Sequence, residues 1–170
     1  MEHASILAQK SFWPRLLAAL ALLAMLIVGR YTYRDYGITV DETVERDSTL
    51  INYQYAFQTL FGRDLSLSDQ PLETYKDRHY GVTLQMPTVM VEHLTGFTMP
   101  SRDIYMLRHL WTFLLCLSGL ACFYLFLERV LSNRWYALLG LLMLALYPRF
   151  WGEQFTNIKD MVFMAACCWA

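Results

Sequence analysis

Leu110-Trp111-Thr112-Phe113-Leu114-Leu115-Cys116-Leu117-Ser118-Gly119-Leu120-Ala121-Cys122-Phe123-Tyr124-Leu125-Phe126-Leu127 runs for 18 residues without a charge and is closed by Glu128-Arg129. A helix needs about 20 mainly apolar residues to cross the hydrocarbon core of a bilayer, so this run is the clearest membrane span in the chain. A second run, Leu16 to Gly29, lies between Arg15 and Arg30. It is short, but it reaches spanning length once Phe12, Trp13 and Tyr31 to Tyr33 serve as interfacial aromatics and the arginines snorkel. The competing reading is a cleaved signal peptide with Lys10 and Arg15 as its basic region. Arg30, Tyr31 and Tyr33 stand where a small-residue cleavage site belongs, which favours an uncleaved anchor.

Downstream, Trp135 to Tyr147 follows a tight turn holding Asn133 and Arg134 and ends at Pro148-Arg149. The pattern predicts an antiparallel pair with the preceding helix, the third helix being a short span or a re-entrant segment. Met161 to Ala170 opens a fourth apolar run that stops without flanking charge or turn residues, which predicts either the N-terminal part of a longer protein or a truncated gene product. The fold expected is therefore all-α: a polytopic membrane helical bundle of about three complete spans plus the start of a fourth.

The composition agrees. Hydrophobic side chains make up 56% and mean hydropathy is +0.27, against about 45–50% apolar residues in soluble domains. A formal net charge of -1, with the basic residues scattered, argues against a nucleic-acid partner. Cys116, Cys122, Cys167 and Cys168 all fall inside apolar runs, where they read as small hydrophobes rather than disulfides or metal ligands.

Short segments set orientation. Lys10 and Arg15 precede the first helix, and Arg129 and Arg134 fill the turn between helices two and three. With every span crossing, both segments are cytoplasmic. The organisation expected is a cytoplasmic N-terminus and first transmembrane helix over 1–33, an extracytoplasmic loop over 34–104, helices two and three over 105–148, a second extracytoplasmic loop over 149–160 and the start of helix four over 161–170. That arrangement puts Asp41 and Asp160 on one side of the membrane.

The large loop is patterned. Leu50, Tyr53, Phe57 and Leu60/Phe61 recur at helical spacing after a candidate Asp47/Ser48 cap, predicting an amphipathic helix lying on the bilayer or on the top of the bundle. Gly62 to Gly81 is punctuated by Gly, Pro, Ser and Asp and reads as loop. Pro87 to Leu94 predicts a second short helix, ended by Gly96 to Pro100.

The chemistry-bearing residues are few. Asp41-Glu42 follows the first apolar run closely and is either an ordinary acidic helix start, near Thr43, or a functional pair. Its position beside the membrane, with Asp160 at the outer end of another span, favours function. Glu92 and His93 are available oxygen and nitrogen ligands but point in different directions on a helix. His79 and His109 read as hydrogen-bonded interface histidines.

A membrane-proximal Asp41-Glu42 after helix one, a long outer loop, and the segment Pro148-Arg149-Phe150-Trp151-Gly152-Glu153-Gln154-Phe155-Thr156-Asn157-Ile158-Lys159-Asp160 entering helix four resemble the membrane C-type glycosyltransferase superfamily. The likeness is to its protein mannosyltransferases and aminoarabinose transferases, which use polyprenyl-phosphate sugars. The resemblance implies an inverting, integral-membrane transferase of the bacterial inner membrane with its active site on the outer face. It would take a sugar from a polyprenyl-phosphate donor to a hydroxyl of a protein, lipid or glycan acceptor, as in protein glycosylation.

It implies Asp41 as catalytic base, Glu42 as its partner in the acidic signature, and Asp160 as a second-loop acid that shapes the site or holds a divalent metal ion. Lys159, Arg149 and Arg46 are the candidates for the donor phosphate, a role for which interfacial anchoring of helix ends is the plain alternative to Lys159 and Arg149. The chain departs from the family where Val44 and Glu45 intervene between Asp41-Glu42 and the first basic residue, Arg46. The competing expectation is a non-catalytic membrane subunit of a polysaccharide or lipid assembly or transport system, with the stripe Leu50, Tyr53, Phe57 as its docking surface.

Overall fold

The computed structural model describes the backbone of residues 2–170 and the side chains of residues 12–170; the side chain of Lys10 lies outside the described residues. The described chain is helical: α1 (Glu2–Thr32), α2 (Val40–Phe61), α3 (Met86–Leu94), α4 (Ser101–Val130), α5 (Arg134–Ala145), α6 (Pro148–Glu153) and α7 (Asp160–Trp169), with single 3-10 turns at Leu72–Thr74 and Thr83–Gln85. Two compact units result, one of residues Met1–Tyr36 and Leu110–Ala170 and one of residues Gly37–His109.

In the first unit, two stretches are long and apolar enough to cross a membrane: Phe12–Thr32 of α1 and the whole of α4, whose first turns belong to the other unit. Each helix extends past its charge-free window, α1 taking in Arg15 and α4 taking in Glu128, and these two residues pair. Arg15 Nε donates 2.7 Å to Glu128 Oε1, and Arg134 takes the same carboxylate from the start of α5. One carboxylate thus ties the start of the α1 apolar run to the end of α4 and the start of α5.

From that tie α5 packs along α1, burying Ala137, Leu138, Leu141 and Ala145 in a core with Ala18, Met25, Cys116, Leu120 and Tyr124. Two glycines let helices approach. A Cβ on Gly119 would sit 2.8 Å from Ala165 Cα, and one on Gly29 would enter the Phe113 ring. The expected third span is a 12-residue helix, α5, about 18 Å long and so shorter than a bilayer core. Pro148 restarts the chain as α6, where loop was expected from residue 149. The four cysteines are free thiols, Cys116 buried and Cys167 exposed.

The second unit corresponds to the expected loop, and both of its helices are present. α2 begins at Val40, earlier than either expected start, Thr43 or the Asp47/Ser48 cap. The reason lies at Thr39, whose backbone N–H donates 2.8 Å and whose hydroxyl donates 3.0 Å to Glu42 Oε1, a capping-box pattern that closes the first turn. Ser48 instead sits mid-helix, its hydroxyl bonded to the Val44 carbonyl. Gly62, at φ 64°, stops α2 by taking the left-handed cap position. α3 has Pro87 in its first turn and ends where Gly96 turns left-handed at φ 66°. The amphipathic stripe is half covered: Tyr53 and Phe57 pack against His93 of α3, whereas Leu60 and Phe61 are exposed.

Candidate functional site

In the second unit, the capping pattern fixes the acidic pair and divides its labour. Asp41 and Glu42 occupy successive positions in the first turn of α2. Asp41 faces outward and is exposed. Glu42 is wholly buried, with Oε1 on Thr39 and Oε2 2.7 Å from His109 Nε2. A carboxylate with both oxygens committed inside the protein is a positioning group: it holds the turn that carries Asp41. The imidazole N–H donates to it, which sets the tautomer of His109.

Glu42 is one edge of a buried polar layer. On α2, Glu42, Glu45, Ser48 and Thr49 are all buried, and Gln85, Thr88, Glu92, Arg108 and His109 are buried opposite them within the same unit. Arg46 donates 2.6 Å to Glu92 Oε2, and Arg108 donates 3.2 Å to Thr88 Oγ1. The Arg108 guanidinium lies in the field of Glu92, Glu42 and Glu45, opposed by Arg46. Three carboxylates, two guanidiniums and an imidazole therefore share one interior, where the Arg46–Glu92 and His109–Glu42 contacts offset part of the cost of burying charge. Sequence reading treated Glu92 as a candidate ligand and His109 as an interface histidine, and it passed over Arg108. The available signal was an Arg-His pair directly before an 18-residue charge-free run, since ionisable residues at a span edge need partners. His93 turns away from Glu92, its Nδ1 2.7 Å from the Tyr53 hydroxyl; burial pushes the Tyr53 phenol above its ordinary pKa.

In the first unit, Asp160 is exposed at the N-terminus of α7, a favourable end for negative charge. Asn157 joins it to Glu153: Asn157 Nδ2 donates 3.0 Å to Glu153 Oε2 and 3.1 Å to Asp160 Oδ2, while its Oδ1 accepts from Asp160 N at 3.0 Å. Arg149 donates 2.7 Å to Glu153 Oε1. Arg149, Glu153, Asn157 and Asp160 thus form one chain of contacts, of which sequence reading singled out the two ends. Lys159 is exposed. The Tyr36 hydroxyl donates 3.0 Å to the Trp151 carbonyl, and its ring lies 4.5 Å from that of Phe155, so the chain leaving α1 meets α6 at the same end of this unit.

Among the described residues, no three His, Cys, Asp or Glu side chains are grouped to hold a metal ion. Around Asp160 the nearby donors, Glu153 and Asn157, are already bonded to Arg149 and to each other. These residues do not make a metal site as they stand. The chain matches no protein-family model, no curated protein and no solved structure.

Proposed function

We propose that the chain belongs to an integral-membrane glycosyltransferase that moves a sugar from a polyprenyl-phosphate donor to an acceptor hydroxyl, with inversion, on the outer face of a bacterial inner membrane. The observation that carries this reading is the treatment of the acidic pair: Glu42 is buried on Thr39 and His109, which leaves Asp41 as an exposed carboxylate on a fixed turn. A general base has this requirement, to be held still and open to the acceptor proton. Lipid-linked phosphate is a good leaving group, so the remaining need is positive charge for the departing anion. Arg46, partly exposed beside Glu92, serves this role in the proposal, with Lys159 and Arg149 as further candidates; Asp160 is the second acid. No step is routed through a metal ion.

The reading includes a bundle of three crossings followed by the start of a fourth, α5 with α6 forming the third. Its support is that α5 packs along α1 and that α6 meets the end of α1 at Tyr36. Asp41→Asn is the test. With membranes from cells making the protein, supplied with radiolabelled polyprenyl-phosphate sugars, the variant is expected to insert normally and to transfer nothing. Full transfer by it would reject the assignment.

The non-catalytic reading draws on a separate observation, the exposure of Leu60 and Phe61 at the end of α2, which leaves part of the stripe open to a partner. It predicts indifference to Asp41→Asn and to Asp160→Asn, and loss of assembly on replacing Leu60 and Phe61.

A further inference from the structure

Away from Asp41, the second unit carries an open cleft of about 670 Å³ between the C-terminal half of α2 and the segment 64–73, within the roughly 300–1,000 Å³ of small-ligand sites. Its far wall is built in advance. Gln54 Oε1 accepts from Leu67 N at 2.7 Å and Ser68 N at 2.9 Å, and its Nε2 donates 3.2 Å to Ser68 O. Asp64 Oδ1 accepts from Ser66 N at 2.9 Å, and Ser66 is held left-handed at φ 51°. A wall ordered by its own hydrogen bonds needs little further ordering when a ligand arrives.

The lining is chemically specific. Tyr55, Gln58, Asp69 and Glu73 present a phenol, an amide and two carboxylates, over apolar surface from Ile51 and Leu72. Tyr55 is 45% exposed although aromatic. Planar carboxylate and amide groups can each meet two neighbouring hydroxyls, while the tyrosine ring offers an apolar face beside a polar tip. A ligand with hydroxyls around its edge and C–H groups on its face uses both. No Lys, Arg or His lines this cleft, and Asp64, Asp69 and Glu73 do, so an anionic ligand is repelled. A neighbouring lobe of about 650 Å³ shares Ile51, Ser68, Asp69 and Gln70 and is lined also by Asp47, Lys76 and Asp77, so that carboxylates outnumber the one ammonium there while it gives room beyond a single ring.

We propose that this cleft is a binding site for a neutral saccharide, separate from Asp41 and independent of the transferase reading. The test is saturation-transfer NMR on the full chain in nanodiscs, with maltose and chitobiose as neutral probes, glucuronate as the anionic probe and putrescine as the cationic one. A neutral probe is expected to bind, and Tyr55→Ala and Gln58→Ala are each expected to weaken it about tenfold, which is about 1.4 kcal/mol. Tyr55→Phe, which keeps the ring, is expected to retain most of the binding and guards against loss of folding in Tyr55→Ala. Asp41→Asn is expected to bind as the parent does, so loss of transfer and loss of saccharide binding are read separately. Absence of neutral-probe binding, binding unchanged in both alanine variants, equal binding of glucuronate, or binding of putrescine alone would each overturn the proposal.

Discussion

His109 Nε2 and Glu42 Oε2 meet at 2.7 Å with both side chains wholly removed from solvent. Removing His109 strips Glu42 Oε2 of its partner inside the protein, and breaking a buried charge pair typically costs about 3–5 kcal/mol. His109→Ala is therefore expected to destabilise the second unit by about that amount. The double variant His109→Ala/Glu42→Gln is expected to lose less than the sum of His109→Ala and Glu42→Gln, because the amide that replaces the carboxylate keeps an oxygen for Thr39 and no stranded charge remains. Denaturant unfolding of the detergent-solubilised protein, analysed as a double-mutant cycle, checks both statements. Additive losses would mean the contact carries no coupling.

Asp41, one residue earlier, should behave oppositely. It is exposed in the first turn of α2, so Asp41→Asn is expected to change stability by no more than about 0.5 kcal/mol, measured in the same unfolding experiment. Loss of transfer in the assay above without loss of stability is the signature of chemistry. A large destabilisation would instead place Asp41 among the groups that hold α2 together.

Arg46 and Glu92 form a second unequal pair. Glu92 is 1% exposed and Arg46 23%, so the arginine can recover water when its partner goes and the glutamate cannot. Arg46→Ala is expected to cost more than Glu92→Gln, by roughly 1–2 kcal/mol, the desolvation penalty of a buried group left unsatisfied. Equal losses in paired unfolding curves would show that Glu92 is satisfied without Arg46.

What the sequence made legible follows from what each signal measures. The two long apolar helices were readable because Leu16 to Gly29 and Leu110 to Leu127 have no charge to place. The start of α2 was not, because its signature, Thr39 followed three residues on by Glu42, lies upstream of the apolar stripe that marks the helix. The stripe itself misled about which face is buried. Over Glu42, Glu45, Ser48 and Thr49 the inward face is the polar one: Ser48 and Thr49 bond back to carbonyls one turn earlier, whereas Glu42 relies on His109, 67 positions away. Hydrophobic periodicity cannot register a face whose burial depends on partners distant in sequence. Asp160 was legible as a helix-edge acid, but its link through Asn157 and Glu153 to Arg149 needs α6 to form, which the Pro148 punctuation had marked as loop.

Gly119 offers a test of the packing in the first unit. An added Cβ would lie 2.8 Å from the α carbon and 2.9 Å from the β carbon of Ala165, and neither can yield without moving α7. Gly119→Ala is expected to lower stability by about 1–3 kcal/mol, the usual cost of overpacking. Gly152→Ala is the control, since nothing lies within 4 Å of its Cβ position, and it is expected to be neutral. Thermal melts of the two variants in detergent decide; equal melting temperatures would mean α7 does not sit on α4 in solution.

The sidedness of Asp160 is the most demanding prediction, because it turns on a helix too short to cross alone. Arg15 and Arg134 share Glu128 at one end of the first unit, and Tyr36 bonds Trp151 at the other. Between those ends α1 travels roughly 30 Å at 1.5 Å per residue, about the thickness of a hydrocarbon core. The return path from Arg134 to Trp151 covers the same distance only by using α5 and α6 in series, joined at Leu146-Tyr147. If α1 crosses the membrane, that path crosses back. Single-cysteine labelling in a background without the four native thiols, at positions 41 and 160, is expected to report both on the same side, which in the proposed orientation is the outer one. Label reaching 41 from outside and 160 only after permeabilisation would make α5 a re-entrant segment, and would remove Asp160, Lys159 and Arg149 from any site that includes Asp41.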